Sequence, residues 1–87
     1  MNSQATSQFW KLYAGLPEQI QQTAVKAYQL WQDNPRHPSV QFKKVKDDGP
    51  IYSARVNDSY RALCVLVDGT AVWFWIGNHD AYERMLK

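Results

Sequence analysis

The sequence predicts an α+β fold: a two-helix N-terminal hairpin packed on a three- to four-stranded antiparallel sheet, closed by a short C-terminal helix. Three observations predict it. Apolar residues recur every three or four positions between Phe9 and Trp31, the period of a buried helix face. From Tyr52 to Gly77 the pattern changes to short runs rich in β-branched and aromatic residues, broken by Asn57-Asp58-Ser59 and by Asp68-Gly69, which is the signature of a meander. After Asn78 the helical period returns as far as Leu86.

At 87 residues the chain is expected to form one domain spanning 1–87, because chains divide only at larger sizes. A chain this short buries only roughly 60–65% of its unfolded surface, so its core must be efficient. Four Trp, five Tyr and three Phe supply the area, each burying about 150–250 Å².

The first helix is expected over Ser7–Ala14, with Thr6 or Ser7 accepting a hydrogen bond at its start and Gly15 ending it. Pro17 suits a first helical position and Glu18 beside it suits the helix dipole. The second helix follows to Asp33, with Ile20, Ala24, Ala27 and Trp31 on its apolar face and Asn34-Pro35 as its stop. A short connection makes the two helices an antiparallel hairpin. Val40–Lys46 alternates as an extended segment, and Asp47-Asp48-Gly49-Pro50 reads as a turn. Asp80–Leu86 forms the last helix, capped by Asn78 or Asp80, with Tyr82, Met85 and Leu86 as its apolar stripe.

Strand register follows from the turns. A three-residue loop at Asn57-Asp58-Ser59 pairs Val56 with Tyr60 and Arg55 with Arg61. A two-residue type I′ turn at Asp68-Gly69 pairs Val67 with Thr70. Continued without interruption, that register sets Cys64 against Trp73, Ala62 against Trp75 and Arg61 against Ile76, and puts both indoles on one face. Two arginines facing each other across a strand pair repel. Either the pair serves an anion, or the guanidiniums splay into solvent or pair with Asp58 or Asp80.

Composition limits the function classes. The net charge of +2 does not by itself announce a nucleic-acid partner. No apolar run is longer than Ala62–Val67, which is too short to cross a bilayer, and the polar N-terminus reads neither as a signal peptide nor as a strand. One cysteine, Cys64, permits no internal disulfide and suits a reducing cytoplasm. Set between apolar neighbours, it reads as a core residue. His37 and His79 are far apart and lack cysteine partners, so no metal site and no cofactor are expected.

Two helices followed by a meander, with Tyr60-Arg61-Ala62-Leu63 in the middle strand and Gly77-Asn78-His79 after the last, resemble the RelE/ParE superfamily of bacterial type II toxins. The likeness runs from about Phe9 to Leu86. It implies a toxin held inactive by a cognate antitoxin. RelE-like members are ribosome-dependent mRNA endonucleases, in which the ribose 2′-OH attacks the adjacent phosphate without a metal. ParE-like members inhibit DNA gyrase instead, and a third alternative is a non-catalytic member that binds only its antitoxin and operator DNA.

The resemblance also implies site residues. Arg61 falls on the arginine that contacts the scissile phosphate, and Arg55 on a second phosphate contact. His79 falls on a basic residue that protonates the leaving 5′-oxygen or stabilises the phosphate. Tyr82 either stacks on the nucleotide or packs its ring under the sheet. Lys43, Lys44 and Lys46 occupy the segment that contacts the RNA backbone, although lysines also guard solvated sheet edges. Tyr52 and Ala54 stand where some RelE members carry lysines, and no carboxylate stands clearly at the general-base position of certain relatives. No N-terminal edge strand is expected here, because the chain reaches its first helix within a few polar residues.

Overall fold

The computed structural model describes residues 1–45 and 49–86, apart from the Leu86 side chain. Lys46 and the Asp47-Asp48 part of the expected turn lie outside the described residues. Eight elements follow in order: β1 (Asn2–Ala5), α1 (Ser7–Ala14), α2 (Glu18–Asp33), β2 (Lys43–Lys44), β3 (Ile51–Arg55), β4 (Tyr60–Val67), β5 (Thr70–Asn78) and α3 (His79–Leu86). They build one sheet of order β1-β5-β4-β3-β2. Among the described residues, no helix is long and apolar enough to cross a membrane.

The helices form where the sequence puts them. Thr6 caps α1 by accepting the Phe9 amide at 3.1 Å, and the Gly15 amide closes its end on the carbonyls of Leu12 and Tyr13. Pro17 stands one position earlier than expected, as the extended N-cap of α2, because its fixed φ serves either position. Gln21 ties the hairpin together by donating to the Tyr13 carbonyl at 2.9 Å. Trp31 is the buried anchor of α2 at 1% exposure.

Three expectations require correction. The sheet has five strands, because Asn2–Ala5 pairs parallel to β5, with Asn2 opposite Thr70 and Ala5 opposite Trp73. The Thr6 amide extends this pairing to the Trp73 carbonyl at 2.9 Å. Such an edge strand is held by backbone groups, so a polar tetrapeptide can form it without any apolar alternation. Second, Val40–Lys46 is not one strand. Among the described residues the regular ladder with β3 is confined to Lys43–Lys44, flanked by the Val45 amide donating to the Ile51 carbonyl at 2.9 Å, and Gln41 interrupts the segment with φ 48°.

The third correction concerns register. Arg55 faces Arg61 as expected, and Val67 faces Thr70 across a turn whose Asp68 and Gly69 both have positive φ, the type I′ geometry. Pairing holds from Val67↔Thr70 to Cys64↔Trp73 and then slips, so that Leu63 faces Trp75, Ala62 faces Ile76 and Arg61 faces Gly77. Phe74 is the extra residue of this β-bulge. A one-residue slip exchanges the two faces of a strand, so Trp75 moves to the face opposite Trp73 and Ile76 takes its place.

Two cores result. On the helix face, Trp31, Val40, Ala54, Ala62, Cys64, Ala71, Trp73 and Ile76 pack under α1 and α2. On the other face, Leu63, Trp75 and Tyr82 form a smaller cluster, with Tyr82 contributed by α3. Burial pushes the Cys64 thiol up to about 12, so it stays protonated at neutral pH and behaves as a small apolar residue.

Candidate functional site

The bulge decides what surrounds Arg61. Its side chain leaves β4 on the smaller-core face, where the facing residue is Gly77. A Cβ at Gly77 would lie 2.6 and 2.8 Å from two indole carbons of Trp75, closer than real Cβ contacts come. The indole therefore lies across the bare Gly77 backbone, and the Tyr82 ring lies 6.5 Å from the Trp75 ring. Gly77→Ala is expected to cost about 1–3 kcal/mol by overpacking, read by urea denaturation. A variant as stable as the parent would show that the indole is not confined there.

The end of β5 is stitched to the β3–β4 loop. The His79 amide donates to the Ser59 carbonyl at 2.7 Å, and Asn78 Oδ1 accepts the Ala81 amide at 2.8 Å as the cap of α3. Asn57 Oδ1 holds the loop itself by accepting the amides of Ser59 and Tyr60 at 2.8 and 2.9 Å. Helix α3 thus begins beside the loop, and its first turn brings Tyr82 back over the sheet. The His79 and Tyr82 rings lie 5.9 Å apart, and the Arg61 guanidinium carbon lies 5.5 Å from the Tyr82 ring centre, within cation–π range.

Arg61 is therefore held from two sides. Nη2 donates to Gln41 Oε1 at 3.1 Å, the Tyr82 ring supports the guanidinium, and the buried Nη1 has no hydrogen-bond partner among the described residues. An uncompensated, partly desolvated guanidinium donor suits a phosphate or carboxylate oxygen. His79 Nε2 lies 3.4 Å from Glu83 Oε1, with both side chains about half exposed at 46% and 54%. This pair orients the imidazole from α3 itself.

Of the remaining expected site residues that the structure describes, Arg55 faces Arg61 across the strand pair but is engaged by other partners. Arg55 is ion-paired with Asp58 and also donates to the Ser39 carbonyl at 3.4 Å. The repulsion between the facing arginines is thus relieved by a carboxylate on one of them. Lys43 and Lys44 are exposed on the outer strand β2. Tyr82 is only 8% exposed, so its ring is chiefly a platform under Arg61. Glu83, Trp75 and Gln41 are neighbours that sequence reasoning passed over. The four-residue spacing from His79 was the available signal for Glu83; Trp75 was hidden by the bulge, and nothing in the sequence flags Gln41.

On the opposite face, a groove of about 340 Å³ runs between β1, α1, α2 and the sheet. Phe9, Trp10, Tyr13, Tyr28 and Trp31 line it, and Trp10, Val25, Tyr28 and Leu30 remain exposed there or close by.

A model of the ParE-like toxin domain matches residues 18–84. By sequence, no curated protein matches the chain significantly. Among solved structures, the RelB–RelE antitoxin–toxin complex from Methanococcus jannaschii is similar at TM-score 0.75 and 14% identity, covering 97% of this chain and 99% of that one. Escherichia coli YafQ is similar at TM-score 0.71 and 14% identity, covering 93% and 96%. The RelBE2 toxin–antitoxin complex from Mycobacterium tuberculosis is similar at TM-score 0.70 and 22% identity, covering 90% and 96%. At these identities the structural likeness is one of fold, whereas the domain match covers most of the chain. The chain belongs to the ParE-like toxin domain family.

Proposed function

We propose that the protein is a ribosome-dependent mRNA endonuclease, the cytoplasmic toxin of a type II toxin–antitoxin pair. The observation that carries this reading is Arg61, a guanidinium held by Gln41 and Tyr82 with a buried Nη1 that no described residue satisfies. In the proposed reaction the ribose 2′-hydroxyl gives its proton to solvent water as its oxygen bonds to phosphorus, the bond from phosphorus to the 5′-oxygen breaks, and a 2′,3′-cyclic phosphate results. Arg61 stabilises the negative charge that builds on the phosphoryl oxygens. His79 delivers the proton to the departing 5′-oxygen, and Tyr82 keeps Arg61 in place. Arg55 contacts a neighbouring phosphate when it exchanges Asp58 for it, and Lys43, Lys44 and Lys46 follow the RNA backbone. Neither a metal nor a cofactor takes part in this scheme.

The partner that restrains the toxin is a cognate antitoxin. Solved structures of similar fold are antitoxin–toxin complexes, and the apolar groove beside α1 and α2 leaves large side chains exposed, as partner surfaces do. The decisive experiment incubates the purified protein with programmed ribosomes and maps mRNA ends. Cleavage within the A-site codon, lost in His79→Ala, is expected. Intact mRNA overturns the reading.

Two observations favour a second reading. The matching domain model is described as ParE-like, and pairing of Arg55 with Asp58 leaves a thin cationic complement. Inhibition of DNA gyrase accounts for both. Inhibited supercoiling together with intact mRNA would establish it.

A further inference from the structure

We infer that Gln41 is the positioning residue of the anion site, holding the Arg61 guanidinium in line without neutralising it. This inference rests on Arg61 being the phosphate-binding cation proposed above.

Among the described residues, two that are not glycine, Gln41 and Asp68, have positive φ. Asp68 needs it for the type I′ turn. Gln41, at φ 48°, sits in no such turn, and a glutamine in that region is uncommon because its Cβ crowds the carbonyl oxygen. Its neighbours explain how the conformation is imposed. Val40 is buried at 1% and its carbonyl accepts the Arg55 amide at 2.6 Å. Phe42 stacks on Tyr52 at 5.1 Å and meets Trp31 at 5.6 Å. With both flanking residues pinned in the helix-face core, the left-handed turn at Gln41 sends its side chain to Arg61, twenty positions along the sequence. Strain retained at one residue by its surroundings is a mark of a functional constraint.

The chemistry of the acceptor supports the same conclusion. Arg55 takes its acceptor from a carboxylate, Asp58, which cancels its charge. Arg61 takes its acceptor from an amide oxygen, which fixes the fork while leaving the full positive charge for an incoming anion. With Nη2 engaged by Gln41 and the plane supported by Tyr82, the guanidinium is fixed while its buried Nη1 keeps an unused donor among the described residues.

The test uses the full chain and a labelled single-stranded RNA oligonucleotide with 2′-O-methyl riboses, which cannot be cleaved. Gln41→Ala and Gln41→Gly are expected to weaken binding about 3- to 10-fold, the loss of one charge-assisted hydrogen bond. Gln41→Gly should melt at or above the parent temperature, because glycine relieves the φ. Gln41→Glu should weaken binding at least as much as Gln41→Ala while keeping the Arg61 Nε–Hε resonance as sharp as in the parent, since a carboxylate holds the guanidinium but cancels it. A purely structural role predicts the reverse, with affinity following melting temperature. If Arg61→Ala loses binding while all three Gln41 variants bind like the parent, the positioning role is overturned and the anion site stands. If Arg61→Ala itself binds like the parent, the anion-site reading falls and takes this inference with it.

Discussion

Arg61→Ala is expected to abolish growth arrest on expression and to lower mRNA cleavage on programmed ribosomes by about 100- to 1,000-fold, the usual effect of removing one preorganised donor from a developing charge. The fold should survive the change. Arg61 gives up one hydrogen bond to an exposed glutamine and a contact with Tyr82, together worth about 1–2 kcal/mol, and the deletion also frees β4 from the facing charge of Arg55. Arg61→Lys should recover only part of the activity, because an ammonium is a point charge and cannot present a fork to two phosphate oxygens. Arg55→Ala should cost far less, since Arg55 already has a carboxylate partner. Measuring cleavage, growth and the denaturation midpoint on the same variants separates chemistry from stability. Full growth arrest by a folded Arg61→Ala protein would mean that toxicity does not run through this guanidinium.

The contrast between the two arginines shows what the sequence made legible. Turn chemistry alone set the loop at Asn57-Asp58-Ser59 and the type I′ turn at Asp68-Gly69, and the pairings beside both turns hold in the structure, the second as far as Cys64↔Trp73. That sufficed to bring Arg55 opposite Arg61. Which arginine keeps its charge available was not legible, because it depends on side-chain partners, and the sequence offered Asp58 and Asp80 equally. The bulge at Phe74 was also hidden. Both faces of this meander are apolar, so a one-residue slip moves Trp75 and Ile76 between two acceptable environments and leaves no mismatch in the pattern. That slip nevertheless puts Gly77 rather than Ile76 beside Arg61, which opens the space for Trp75 and Tyr82. The edge strand Asn2–Ala5 escaped for the opposite reason. Its pairing is made by the backbone of β5, and the sequence of Asn2–Ala5 carries no apolar alternation that would signal it.

Trp31→Ala is expected to destabilise the protein by about 3–5 kcal/mol, the range for truncating a fully buried aromatic. Its indole is 1% exposed and meets three rings, Trp73 at 5.2 Å, Phe42 at 5.6 Å and Tyr28 at 5.9 Å. It is also the only residue of α2 that is fully buried, so the helix has no second anchor of comparable size. A chain of 87 residues holds only about 4–13 kcal/mol in total, so the variant should be partly unfolded near body temperature. The cavity cannot be relieved by collapse, since it would merge with the 340 Å³ groove already lined by Trp31. Trp31→Phe should recover most of the loss. The indole nitrogen has no hydrogen-bond partner among the described residues, so a phenyl ring restores packing without leaving an acceptor unsatisfied. Trp10→Ala is the control, because Trp10 is 55% exposed and its removal should shift stability by about 0.5 kcal/mol or less. Urea denaturation at constant slope reads all three. Equal losses at Trp10 and Trp31 would show that α1 and α2 are not held to the sheet through this one side chain, and that the groove between them is a flexible seam rather than a preformed surface for a partner.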